Sequence, residues 1–159
     1  MRSFIIILTV IISFSTLSQA QVRIYKGTSS YSSDVICNIS DGSVYKKTSG
    51  YSSDILCHVA GNKIYKGSGS YSSDVIYSLA DGKVFKGNSS YSSDVVMTIK
   101  DGKVYKGTST YSSDVLATFK DGRVYKGNSG YSSDIEFTID GYVTIEEFAA
   151  IWHAVKYCY

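Results

Sequence analysis

The tetrapeptide Tyr-Ser-Ser-Asp starts at Tyr31, Tyr51, Tyr71, Tyr91, Tyr111 and Tyr131, and the spacing is twenty residues every time. A fixed period of that length restricts the chain to repeat architectures, because one such unit cannot bury its own apolar face and must lie against its neighbours. Within residues 83–102, residues 84–87 read as a short strand, 88–94 as a polar loop and 95–99 as a second strand. Asp101-Gly102 then turns the chain into the next unit. Asp-Gly between β-branched runs favours a two-residue hairpin, since both residues tolerate the positive φ of a type I′ turn. Asp41-Gly42, Asp81-Gly82, Asp121-Gly122 and Asp140-Gly141 repeat the signal, and Gly61-Asn62 is its variant.

Strand periodicity assigns the faces. Val35, Ile55, Val75, Val95, Val115 and Ile135 form one apolar column, and Ile39, Val59, Leu79, Ile99, Phe119 and Ile139 form another four residues on. Between them lie Cys37, Cys57, Tyr77, Met97, Ala117 and Phe137. A period of two places all three columns on one inner face. In the first strand of each unit the Ile24 column alternates with an aromatic one of Tyr25, Tyr45, Tyr65, Phe85, Tyr105 and Tyr125, for which packing is the expected role. Cys37 and Cys57 share one place in adjacent units and read either as two buried apolar side chains or as a disulfide.

The repeats begin with a first strand and end with a second strand, each lacking a hairpin partner. Pairing the two closes a ring and removes both edges. The expected fold class is therefore all-β: a closed, flower-like ring of short antiparallel hairpins. The unit Lys-Val-Tyr-Lys-Gly, polar loop, Tyr-Ser-Ser-Asp-Val-Ile, Asp-Gly resembles the bacterial β-flower repeat proteins from Val22 to about Ile139, and five complete hairpins between two half-hairpins suggest the five-fold form. The resemblance implies a ring of hairpins about an axis and carries over no activity and no site residues. Lys47 departs from the pattern where other units have glycine, as at Gly27 and Gly67.

Beyond the repeats, Thr144 and Glu147 form a capping box. Ile145, Phe148, Trp152, Val155 and Tyr159 follow at helical spacing, predicting an amphipathic helix that covers one mouth or face of the ring. At the other end Arg2 precedes an apolar run from Phe4 to Phe14, and Ser18 and Ala20 fit a signal-peptidase site. The expected division is a secretory signal peptide at 1–20, six hairpin repeats at 21–141 and a capping helix at 142–159 within the same domain. The expected destination is secreted or periplasmic, with cleavage near Ala20 and Gln21 and no integral membrane segment in the mature chain.

Without Arg2 the charge balance is fifteen Lys and Arg against fourteen acids, so no field draws in nucleic acid. Catalysis is not expected: six Ser-Ser-Asp tripeptides cannot share the two histidines, His58 and His153, as bases. Ser and Asp at these positions read instead as turn residues that hydrogen-bond nearby backbone amides. Asp34, Asp54, Asp74, Asp94, Asp114 and Asp134 are also placed to pair with the lysine column of Lys26, Lys46, Lys66, Lys86, Lys106 and Lys126. As metal ligands each would offer one carboxylate per unit, so no metal and no cofactor is expected. Residues 136–147 match only the later half of a calcium-binding loop. The expected function is an exported, non-enzymatic structural or interaction module whose partner is a protein or glycan at the cell surface. The alternative is a multivalent carbohydrate-binding module using Tyr31, Tyr51, Tyr71, Tyr91, Tyr111 and Tyr131 with the six aspartates, and for this tyrosine column packing and binding stand as open alternatives.

Overall fold

The structure is a computed structural model and describes residues 21–159; the expected signal peptide lies outside them. Twelve strands form one closed antiparallel barrel. They are β1 (Val22–Lys26), β2 (Val35–Ser40), β3 (Ser43–Lys46), β4 (Ile55–Ala60), β5 (Lys63–Lys66), β6 (Val75–Ala80), β7 (Lys83–Lys86), β8 (Val95–Lys100), β9 (Lys103–Lys106), β10 (Val115–Lys120), β11 (Arg123–Lys126) and β12 (Ile135–Asp140), followed by helix α1 (Ile145–Tyr157). Each strand pairs with its sequence neighbours, and β1 pairs with β12 through Ile24 and Ile139 to close the ring. The closing pair supplies a sixth unit, so the barrel is six-fold; five was the count of hairpins made from consecutive strands alone.

The Asp-Gly turns gather at one rim. Asp101 and Gly102 have φ of 50° and 70°, the double positive value of a type I′ turn, and Asp41, Asp81 and Asp121 with their glycines do the same. A side chain is excluded at Gly82, where a Cβ would lie 2.6 Å from the carbonyl oxygen of Ile99 in the next hairpin. Asp140-Gly141 is not a hairpin turn, contrary to its sequence signal: Asp140 ends β12 without the positive φ of the other turn aspartates, and the chain runs on into α1.

A bulge repeats in every unit and corrects the expected inner face. Ile24 pairs with Cys37 but Tyr25 pairs with Val35, leaving Ile36 as the extra residue. The same shift recurs between Val44 and Tyr45, Ile64 and Tyr65, and Val84 and Phe85. One extra residue reverses the alternation. The Cys37 and Ile39 columns therefore face the lumen with Ile24, while the Val35 column turns outward beside the aromatic column. Tyr25, Phe85 and Tyr125 are buried there by the polar loops, which fold back over the outside of the barrel.

Helix α1 lies inside the lumen rather than across a mouth. Phe148, Ala149, Ala150, Ile151 and Trp152 are consecutive and all buried, and five successive residues at 100° apiece leave no free face. The dimensions agree: twelve strands at ~4.8 Å and a ~40° tilt enclose a barrel about 24 Å across, which takes a helix of about 10–12 Å and one layer of side chains. The helix leans towards β2–β5, where small Cys57 brings Sγ within 3.6 Å of the Ala150 carbonyl. On the opposite side Phe119 meets Phe148 and Phe137 meets Trp152, and a pocket of about 260 Å³ remains beside Phe119, Val143 and Ile145.

Cys37 and Cys57 are both free and buried. They stand on β2 and β4 with β3 between, about 9.6 Å apart by strand spacing, too far for a disulfide. Burial, with the charge of Cys158 adding to it, pushes both thiols up to about 12.

Candidate functional site

The polar loops share the rim opposite the Asp-Gly turns, since every one of them joins an odd-numbered strand to the even-numbered strand that follows it. Each loop is pinned from two directions. From the barrel wall, a polar side chain in the even-numbered strand donates to a loop carbonyl: Thr98 Oγ1 to Gly107 at 2.7 Å, Thr118 Oγ1 to Gly127 at 2.9 Å and Thr138 Oγ1 to Gly27 at 2.7 Å. Asn38, wholly buried, donates to both Lys47 and Ser49. His58 Nδ1 takes the same place at 2.9 Å from the Gly67 carbonyl and stacks on Tyr65. Packing and hydrogen bonding thus account for this histidine.

Within the loop the aspartate anchors a short network. Ser29 Oγ donates to Asp34 Oδ2 at 2.6 Å and accepts from the Tyr31 amide at 3.2 Å, while the Asp34 amide donates to the Tyr31 carbonyl. Asp54, Asp94, Asp114 and Asp134 repeat the arrangement with Ser49, Ser89, Ser109 and Ser129. Gly69 has no hydroxyl, and Asp74 swings in to accept directly from the Tyr71 amide at 3.2 Å. The expected contact between aspartate and a backbone amide is direct only at Asp74; in the other five units it runs through a serine hydroxyl. The serine that serves it lies five residues upstream rather than inside Tyr-Ser-Ser-Asp, a partner that sequence reasoning missed although Ser29 and four of its counterparts share one column. The expected pairing with the Lys26 column does not occur: among the described residues the ion pair is Lys156 with Glu136 at 2.6 Å.

This scaffold holds Tyr31, Tyr51, Tyr71, Tyr91, Tyr111 and Tyr131 outward, each 74–77% exposed. Inside their circle the strand ends carry lysines. Lys46 pairs with Cys37, Lys66 with Cys57, Lys86 with Tyr77 and Lys106 with Met97, so these side chains emerge on the lumen side of the rim and are exposed. The rim is a circle of six tyrosines around a circle of six lysines, with the C-terminal end of α1 emerging within it beside the first loop. In the lumen beneath, His153 Nδ1 lies 3.3 Å from Tyr77 Oη. Burial lowers the His153 pKa and pushes Tyr77 up to about 12. Neither histidine approaches a Ser-Ser-Asp hydroxyl by hydrogen bond, and among the described residues no group of three His, Cys, Asp or Glu side chains is gathered as a metal ion requires.

No curated protein and no solved structure matches the chain. A family model described as a 6-fold beta flower protein matches residues 24–155, in accord with the twelve strands and against the five-fold form suggested by the hairpin count. Six hairpin units closed into one barrel, with the matched region running from β1 into α1, place this chain in the 6-fold β-flower family.

Proposed function

We propose that the protein is an exported, non-enzymatic interaction module that holds a partner with repeated features against its loop rim. The observation that carries this reading is the circle of six equivalent tyrosines, all about three-quarters exposed. A tyrosine left in water contributes almost nothing to folding, yet each loop carries a hydrogen-bond network that poses one. Tyrosine offers a large, amphipathic contact area with few rotamers to freeze, the property that enriches it in binding loops. Single contacts of this kind are weak, and six on one rigid body add through effective concentration.

A carbohydrate partner is the second reading, favoured by the setting of each ring. Tyr111 stands over a depression lined by Lys106, Thr108, Ser109, Thr110 and Asp114, an aromatic face beside hydroxyls and an ammonium group. That combination suits a sugar ring, which has an apolar face and polar edges.

The test is binding of the folded protein to isolated cell envelopes as tyrosines are replaced by alanine in pairs. Because the rings are exposed, the variants keep their melting temperature. Avidity falls steeply, by more than tenfold between six and two tyrosines; a variant lacking all six that still binds like the parent refutes the module. A glycan array with Tyr71→Ala/Tyr91→Ala separates the second reading: hits insensitive to those changes remove it.

A further inference from the structure

Departures from six-fold repetition mark places where the fold alone does not dictate the residue, and one of them lies at a pocket. The residue after each odd-numbered strand needs positive φ, supplied by Gly27, Gly67, Gly87, Gly107 and Gly127. The second unit has Lys47 there, held at φ 51°. A side chain in this left-handed region is strained by its own backbone. Space is no obstacle, since a Cβ at Gly27 would meet only the Ile135 carbonyl oxygen at 3.9 Å.

Lys47 lines a pocket of about 340 Å³ at the loop rim, between the first loop and the end of α1. Lys26 stands with it, and Val35, Ile36, Val155 and Tyr159 supply an apolar floor and wall. The carboxylate on its edge, Asp34, is engaged by the Ser29 hydroxyl at 2.6 Å. Neither lysine forms an ion pair among the described residues, so the pocket presents two cations against one occupied carboxylate. Six-fold symmetry cannot reproduce it, because α1 ends beside one loop and the other five units have glycine in place of Lys47.

The geometry points to this pocket as a binding site for a single amphiphilic anion, a carboxylate or phosphate on a short apolar chain. Lys26 and Lys47 meet the charged head, and Val35, Ile36 and Val155 receive the apolar part. The volume lies at the small end of ligand pockets, fitting a compact ligand. The site is independent of the tyrosine circle and has a stoichiometry of one per barrel.

Calorimetric titration of the full barrel with octyl phosphate, octanoate, 1-octanol and inorganic phosphate tests it. One of the two amphiphilic anions binds one to one and at least tenfold more tightly than octanol or phosphate, and the tighter head group identifies the anion. Lys47→Gly weakens that binding at least tenfold with no fall in melting temperature, because glycine relieves the strain. Lys120→Gln, exposed at the end of β10 on the opposite rim and remote from the pocket, leaves binding unchanged. The proposal is overturned by absence of saturable binding, by octanol binding equally well, by six ligands per barrel, by Lys47→Gly binding like the parent, or by a lower melting temperature in Lys47→Gly.

Discussion

Exchanging side chains between equivalent places in two repeats tests whether α1 fills the lumen. Cys57 and Phe137 occupy the same position in their units, and in a plain ring of hairpins either residue should serve at either place. With the helix inside, the places differ. Phe137 is wholly buried with its ring 6.5 Å from Trp152, whereas Cys57 has the Ala150 carbonyl 3.6 Å from its sulfur. Phe137→Cys gives up roughly 100 Å² of the ~200 Å² a phenylalanine buries, about 2.5 kcal/mol, and the residual cavity raises the loss to about 3 kcal/mol. Cys57→Phe has no room for a ring and costs about 1–3 kcal/mol through overpacking. The two sites meet α1 at different residues, Ala150 and Trp152, so with the helix held in place the double exchange adds the two losses to about 5 kcal/mol instead of restoring the parent. At ~2.1 cal/mol/K per residue over some 140 residues, 3 kcal/mol lowers the melting temperature by about 10 °C. Urea and thermal unfolding followed by the fluorescence of Trp152, the single tryptophan, measure both. A double variant melting within about 2 °C of the parent would mean that the lumen does not discriminate between its walls, and the buried helix would have to be given up.

Two further outcomes concern the groups around the helix. Burial lowers the pKa of His153 from 6.5, so below that pH the unfolded chain binds the proton more readily than the folded one; stability is full above about 6.5 and falls as the pH drops through it. His153→Gln flattens this part of the melting-temperature profile, and an unchanged slope assigns the effect to other groups. With Cys37 and Cys57 raised to about 12 inside the barrel and Cys158 exposed, iodoacetamide at pH 8 adds once to the folded protein and three times in urea. Two or three adducts on the folded protein, counted by mass spectrometry, would show that the lumen opens.

The ring was legible because its causes are local. Asp-Gly dipeptides fix the hairpins, the twenty-residue period fixes their stacking, and unpaired strands at both ends call for closure. The bulge was not legible. Ile36 and Val35 are both apolar, so nothing in residue type shows which of them leaves the ladder, and the inner face was misplaced by one column. The position of α1 was hidden for a similar reason. Ile145, Phe148, Trp152 and Val155 make a one-sided stripe, but Ala149, Ala150 and Ala154 on the other sides suit solvent and a tight interior equally, and here they are wholly buried. For Tyr31 and its counterparts, exposure is a property of where the loop lies, and only the fold reveals it.

Variation among the six units separates what packing requires from what it leaves free. The lumen column runs Cys37, Cys57, Tyr77, Met97, Ala117, Phe137 because one helix in a six-fold barrel meets each wall differently. The loops diverge as well: Thr28, Thr48, Ser68, Asn88, Thr108 and Asn128 at one place, and Ser30, Gly50, Ser70, Ser90, Thr110 and Gly130 at another. Both places lie upstream of the tyrosine, where the copies have accumulated differences, whereas Ser-Ser-Asp on its other side is uniform in all six units. Tyr31 and its five counterparts remain identical although they stand in solvent, where no neighbour in the fold demands a phenol ring. Recent duplication alone would leave the upstream places as uniform as the tyrosines. The contrast with the upstream places supports the proposal that puts the binding role at the rim and not in the lumen.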